Sequence, residues 1–455
     1  MIGWTAMKIT RSSSLLGACV ALALLAGCAA TPEQPAAPAP EPAPEPAVPS
    51  EPAPSRREAI VPPVQDRIEV GLLLPLSGET RGVGLALRDA AALALFDAND
   101  PRLALVPFDT RGTPEGAREA AERAVAAGVR VVLGPLLSDS VDAAAPPLRQ
   151  AGIPLIGFSN DRRVAQRGVY LMGFMPGQEV RRIVEYAARS GHERFAGLIP
   201  INAYGERVFA AFGPAVLAAD GEIVSLSRYE ADPDRLAEPV RRLARYEERR
   251  AAYEAEVAFL DSLGDDLSQQ ILDGLENKET LRGPGFDAVL IAEGDPLVRT
   301  LAPLLPFYEV DPAEVRFLGT GLWDVPSLSR EPPLRGAWFP APDPDRPRAF
   351  LARFKRIYGR AAPRLATLAY DGMALITRLA RDPVKEQRFT DAAFRDPAGF
   401  TGLDGAFRFA ETGIAQRRLA VIAIRRNGFE VIDPAPKGFQ RPAIGALASE
   451  GSPKG

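Results

Sequence analysis

A single histidine, His192, and two cysteines, Cys19 and Cys28, leave this 455-residue chain short of nucleophile activators and soft metal ligands. A Ser-His-Asp relay needs a histidine placed between a serine and an acid, and a zinc cage needs several His or Cys side chains. Neither can be assembled from this stock. His192 lies in Ser190-Gly191-His192-Glu193-Arg194, between a predicted helix and the next strand, where a loop or capping role accounts for it. The carboxylates Asp265-Asp266, and Asp343 with Asp345, have no apolar wall beside them to raise a pKa, so paired-acid hydrolysis is not expected. Gly82-Val83-Gly84 is no dinucleotide loop, because the third small residue would fall on Leu87. The expectation is a protein with no catalytic residues, no metal and no cofactor. A formal net charge of −4 without a basic cluster argues against a nucleic-acid partner.

What remains is a set of polar and aromatic residues at predicted strand ends: Ser77 with Gly78, Ser138, then Phe158, Ser159 and Asn160, and later Tyr204 and Glu293. In open α/β sheets ligands bind beyond the carboxyl ends of the strands, where helix N-termini offer backbone N–H groups to anions. These residues therefore outline a candidate ligand cleft. Serine and asparagine after a strand are also ordinary helix N-caps, so a plain scaffold reading stands beside the ligand reading. Trp323 and Tyr370 fit either the edge of such a cleft or the core.

Positioning these residues requires alternating strands and helices. Strands are predicted at 68–74, 103–108, 129–133 and 153–157, with helices at 84–99, 114–127 and 138–151 between them. A second series follows residues 170–174: helix 176–190, strand 195–200, helix 204–219, strand 222–228 and strand 286–291, then strand 315–319 and helix 366–380. Helices of this length between buried strands imply βαβ units and parallel sheets. Strands 416–424 and 429–432 form a hairpin turned at Asn427-Gly428. Two α/β sets in succession predict two lobes with a cleft between them.

Between them, residues 232–282 form an insertion. Leu236, Val240, Leu243, Tyr246, Tyr253, Val257, Leu260, Leu267, Ile271 and Leu275 recur at helical spacing among Arg and Glu, which predicts two amphipathic helices broken near Gly264-Asp265-Asp266. Their apolar stripe packs on the second lobe, on itself or on a partner.

At the N-terminus, Lys8 and Arg11 precede an apolar run from Leu15 to Leu25, the length of a secretory signal core and too short for a membrane span. It ends in Leu25-Ala26-Gly27-Cys28, which resembles a bacterial lipobox. The resemblance implies removal of residues 1–27 and acylation of Cys28, tying the protein to a membrane. The absence of Asp after the cysteine, where Ala29 stands, implies the outer membrane facing the periplasm, with inner-membrane retention as the alternative. Residues 28–65 are rich in Pro, Ala and Glu and read as an extended stalk, and residues 435–455 as a disordered tail.

Leu74-Pro75-Leu76-Ser77-Gly78, Gly134-Pro135-Leu136, Gly152-Ile153-Pro154 and Tyr204-Gly205-Glu206 together resemble type I periplasmic binding proteins of the leucine-binding class. This implies an α/β, two-lobed fold of parallel sheets flanked by helices, with lobe 1 at 66–172 and 309–400 and lobe 2 at 173–308 and 401–434, plus the helical insertion. In amino-acid receptors of the class, first-lobe hydroxyls and amides hold the ligand carboxylate and a second-lobe acid takes the ammonium. Ser138, Ser159 and Glu293 have that chemistry. The stalk, Gly157-Phe158-Ser159-Asn160-Asp161, the charged insertion and Leu318-Gly319-Thr320-Gly321-Leu322-Trp323-Asp324 look more like lipoprotein activators of penicillin-binding proteins. That resemblance implies a peptidoglycan synthase as partner. The alternative is the substrate-binding protein of a branched-chain amino-acid ABC transporter.

Overall fold

The apolar run Ile68–Leu74 forms β1, and all but one of its residues are buried, as a strand covered on both faces demands. A computed structural model describes residues 66–276 and 278–439. The signal segment, Cys19, Cys28, the stalk and the last sixteen residues of the tail, 440–455, lie outside the described residues.

From β1 the chain alternates through α1 (Arg81–Ala98), β2 (Leu103–Asp109), α2 (Pro114–Ala126), β3 (Val131–Leu133), α3 (Ser138–Gln150), β4 (Leu155–Gly157) and β5 (Val169–Leu171). Local signals set the ends. Thr113 caps α2 by accepting the Gly116 N–H, with Pro114 at the first helical position, and Asn99 closes α1 in the left-handed conformation. The five strands form one parallel sheet in the order β2-β1-β3-β4-β5.

The second set runs α4 (Pro176–Arg189), β6 (Arg194–Pro200), α5 (Ala203–Ala218), β7 (Glu222–Tyr229), then the insertion helices α6 (Ala237–Leu243), α7 (Tyr246–Leu263) and α8 (Asp266–Asp273). It continues with β8 (Ala288–Ile291), α9 (Leu297–Phe307), β9 (Arg316–Leu318), β10 (Trp338–Ala341), α10 (Asp345–Tyr358), α11 (Ala366–Ala380), α12 (Asp391–Phe394), β11 (Phe400–Gly402), β12 (Gly405–Phe409), β13 (Ala415–Arg417), β14 (Ala420–Arg425) and β15 (Gly428–Asp433). The second sheet has the order β15-β14-β10-β9-β8-β6-β7, parallel from β7 to β10 and antiparallel at β14 and β15. The short antiparallel sheet β11-β12-β13 sends Phe400, Phe407 and Phe409 into the core of the first lobe.

Lobe membership differs from the expected partition in two places. Residues 309–400 are expected in lobe 1, yet β9 and β10 pair in the second sheet, and the chain returns to the first lobe only with α10 and α11, which pack on α1. Residues 401–434 were assigned to lobe 2, yet β12 and β13 pack with the first lobe. The expected strand 416–424 is therefore two strands, β13 and β14, in different sheets. Three passages link the lobes, at 172–175, 342–344 and 418–419.

The lobes repeat one close contact. A Cβ on Gly84 of α1 would lie 1.9 Å from the carbonyl oxygen of Pro75, and one on Gly205 of α5 would lie 1.8 Å from that of Pro200. In each lobe the helix that follows the first strand thus presses against the end of that strand, and only glycine permits the approach. This fixes the strand ends that border the cleft.

Candidate ligand-binding cleft

On the first lobe, Ser77, Ser138 and Ser159-Asn160 follow β1, β3 and β4, which are neighbours in the sheet. They are not equally available. The Asp109 carboxylate at the end of β2 accepts N–H bonds from Leu76 at 2.9 Å and Ser77 at 3.3 Å. Burial pushes this carboxyl up, but the Ser77 hydroxyl and the N–H groups of Arg111, Leu76 and Ser77 outweigh it and hold it below its usual range. Ser77 therefore secures its own loop. Ser159 is buried and accepts the Asp161 N–H at 3.0 Å, and Asn160 is half-buried. Ser138 opens α3 and donates its hydroxyl to the first-turn Asp139 carboxylate at 3.3 Å, while Leu137 at the N-cap supplies no side-chain acceptor for the first-turn N–H groups.

Phe158 does not line the cleft. It is 3% exposed and packs with Ile156, Tyr170 and Met172 in the first-lobe core. Trp323 is likewise core: it is fully buried, lies against Gly319 and donates its indole N–H to the Glu293 carbonyl at 2.8 Å. Tyr370 sits on the α1–α11 face, where its hydroxyl donates to Asp97 at 2.8 Å.

The second lobe brings Tyr204 and Glu293 together with residues the sequence did not single out. The Tyr229 hydroxyl donates to Glu293 Oε2 at 2.9 Å, and the Gly294 N–H donates to Oε1 at 3.0 Å. The Tyr204 hydroxyl donates to Thr320 at 2.7 Å; its burial, and the nearby carboxylates of Glu179 and Glu293, keep this phenol protonated. Glu179, on the first turn of α4, accepts the Gly321 N–H at 3.1 Å and is pushed up to about 7, chiefly by its full burial.

Ion pairs cross from lobe to lobe on both sides of this set. Arg207 of α5 donates to Asp161 at 3.1 Å, and Arg163 chelates the same carboxylate at 2.6 Å. These guanidiniums, Arg163 first, hold Asp161 well below the ordinary carboxylate range against its burial. Arg364, before α11, reaches Asp324 of the second lobe at 2.7 Å, Asp404 at 2.7 Å and the Thr367 hydroxyl at 2.8 Å. Beside it, Arg417 is buried between the Phe174 and Phe407 rings and donates to the Met172 carbonyl at 2.8 Å. Asp371, facing Arg417, is pushed up to about 7 by burial and then by the Asp404 charge. Nothing in the periodicity marks the contacts between lobes, because Arg207 and Asp161 are 46 residues apart and Arg364 and Asp324 are 40. A concavity of about 370 Å³ lined by Val129, Arg130, Ile153 and Arg388 opens at the amino ends of β3 and β4, away from this chemistry.

Residues 67–246 match the periplasmic binding protein family model. A putative branched-chain amino acid ABC transporter protein of Rhodospirillum rubrum superposes with a TM-score of 0.63 at 18% identity, over 80% of this chain and 100% of that one. The fold is that of the type I periplasmic binding proteins. A substrate-binding protein from Sphaerobacter thermophilus shares this binding-protein fold with a TM-score of 0.59 at 20% identity, over 82% of this chain and 98% of that one. So does a branched-chain amino acid transporter substrate-binding protein from Streptococcus pneumoniae, solved with isoleucine, at 0.54 and 17% identity over 81% of this chain and 100% of that one. An uncharacterized protein of Rickettsia prowazekii is 24% identical over 181 residues; the match spans 40% of this chain and 48% of that relative, about half its length.

Proposed function

We propose that this chain is a non-catalytic, periplasm-facing binding protein that takes an amino-acid-like solute between its lobes. The observation that carries the reading is Glu293. Its neighbour Asp295 is ion-paired with Arg299. Glu293 itself is half-buried, oriented by Tyr229 and Gly294, and ion-paired with no basic side chain among the described residues. A partly desolvated carboxylate fixed at both oxygens favours a cationic guest, and an ammonium would complete it with charge-assisted hydrogen bonds. The start of α3, which no side chain caps, offers backbone N–H donors for the carboxylate of the same solute. The solved relative that holds isoleucine supports the ligand class.

In this reading Cys28 carries the lipid and the 28–65 segment is the tether, with the outer membrane favoured. Incorporation of labelled palmitate into the full chain, abolished in Cys28→Ser, tests the anchor; labelling that survives the substitution would remove it. A role as activator of a penicillin-binding protein draws on one observation, the exposed apolar side chains Phe259, Leu263, Leu267 and Ile271 at the far end of the insertion. The transport-type reading has the support of both the cleft chemistry and the solved relatives.

Thermal denaturation against the L-amino acids tests the solute reading. A ligand at about 100 times its Kd adds about 2.7 kcal/mol of stability, a shift of several degrees. Stabilisation by one side-chain class, absent with the corresponding des-amino acids, is the expected result. No shift with any amino acid would count against it.

A further inference from the structure

Beside the passage at 418–419 the chain crosses between the lobes once more. β15 closes the second sheet, and its last residue, Asp433, is held on α4 by Arg182 at 2.8 Å and Arg189 at 3.0 Å. The same Arg182 donates through Nε to the Leu419 carbonyl at 2.9 Å, so one guanidinium grips both the passage and the residue from which the tail departs. Residues 434–439 then leave the second lobe. They reach the first, where the Phe439 ring lies between the guanidiniums of Arg418, 4.4 Å from its centroid, and Arg408 of β12, at 4.6 Å. The expected disordered tail therefore does not begin at 435, because Phe439 is half-buried on this face.

The place fits the ring. β12 turns Phe407 and Phe409 into the first-lobe core and Arg408 to the opposite face. Gly399 leaves room beside it, since an added Cβ there would come within 3.0 Å of Phe439. Arg418 stands in the passage itself. Its Nε is shielded from water with no hydrogen-bond partner among the described residues, and the aromatic face over that guanidinium offsets part of the cost of leaving the donor dry. Slack between the two ends is small: five residues separate Asp433 from Phe439, and Pro434 and Pro436 fix φ at two of them.

We infer that residues 434–439 are a strap across the hinge, fastened to the second lobe at Asp433 and to the first by Phe439, which restrains the angle between the lobes. Turning one lobe against the other changes the distance between the fastenings, so opening has to unstack Phe439 or break the Asp433 ion pairs. The strap also stiffens the passage it accompanies. Arg418 is held through its side chain by Phe439 and through its N–H by the Ala406 carbonyl at 3.0 Å, while Arg182 holds Leu419. A hinge works through a few residues that absorb the backbone change, and here both residues of the passage are tied. The inference does not rest on the solute reading, because it concerns the lobe angle of the chain without a guest.

Pulsed electron resonance between two spin labels measures that angle. The full chain carries Cys19→Ser and Cys28→Ser, with labelled cysteines in place of the exposed Glu115 and Glu230. These follow β2 and β7, the edges of the two sheets that lie away from β5, β10 and β14, where the passages run. Phe439→Ala, and a chain ended after Asp433, are each expected to move the mean distance outward by several ångströms and to widen its distribution at an unchanged melting temperature. Phe439→Leu, which keeps apolar volume without the aromatic face, is expected to do the same, and Phe439→Tyr, which keeps the ring, to match the parent. An unchanged distribution without the ring would overturn the inference, as would equal widening in Phe439→Tyr.

Discussion

Glu179 and Glu293 are both acids beside Tyr204, but their surroundings give them different tasks. Glu179 is fully buried with a single backbone donor, so its folded-state pKa stands near 7, above its unfolded value near 4.5. A group raised in this way binds its proton more tightly when folded; its contribution is complete below about pH 4.5 and is lost as pH rises through 7. Removing the ionisable group should therefore help most at high pH. Relative to wild type, Glu179→Gln is expected to gain about 1–3 kcal/mol between pH 5 and pH 8, read from denaturant melts, with Asp371 supplying the slope that remains. A constant difference across that range would show that Glu179 does not titrate there. Asp161 has the opposite sign: its depressed pKa stabilises the fold above pH 4 and that part is lost on acidification. Of the cleft residues, the type and strand-end position of Ser138 and Glu293 were legible in the sequence. Phe158, expected in the cleft, is core, because one residue's shift at a strand end turns a side chain from one face to the other; Trp323, which the sequence leaves between cleft edge and core, is core because its helical turn after β9 folds the indole back onto Gly319.

The α6–α8 insertion contains both extremes of what helical periodicity can disclose. The pattern predicted two helices and the break at Gly264-Asp265; the structure has three, because the first is broken again at Ala244-Arg245, where Arg245 takes a φ of 52°, and periodicity gives only the existence of an apolar face and not what covers it. The structure divides the stripe: its first part is core and its last part is bare. Substitutions should report this division. Leu243→Ala removes a fully buried side chain and is expected to cost about 2–5 kcal/mol in denaturant melts. Leu267→Ser, at 68% exposure, should change stability by less than about 0.5 kcal/mol. Equal costs at both positions would mean that the far end of the insertion is covered within the chain. The short elements β10, α12, β11 and β12 escaped the sequence reading because three to five residues carry too little periodicity to register.

At the scale of the molecule, two lobes linked by three passages are held toward each other by the Arg207–Asp161 and Arg364–Asp324 pairs. Both are at least partly screened from water, and removing one partner leaves a charge behind. The double variant Arg207→Ala, Arg364→Ala should open the lobes, seen as an increased radius of gyration in small-angle scattering; an unchanged radius would show that packing alone sets the lobe angle. The two-lobed α/β plan was readable from the alternation of strands and helices. The crossings at 342–344 and 418–419 were not, because the boundary between β13 and β14 lies inside one unbroken β-like stretch whose halves differ only in which lobe covers them. The central claim is that the cleft holds the ammonium of an amino acid on Glu293, and calorimetric titration tests it most directly. The amino acid that best stabilises the protein, and its des-amino analogue, are titrated into wild type and Glu293→Gln. One-to-one binding of the amino acid by wild type, weakened at least about a hundredfold both in the variant and with the analogue, is the predicted result. Equal affinity for the analogue, or undiminished binding by a folded Glu293→Gln, would contradict it.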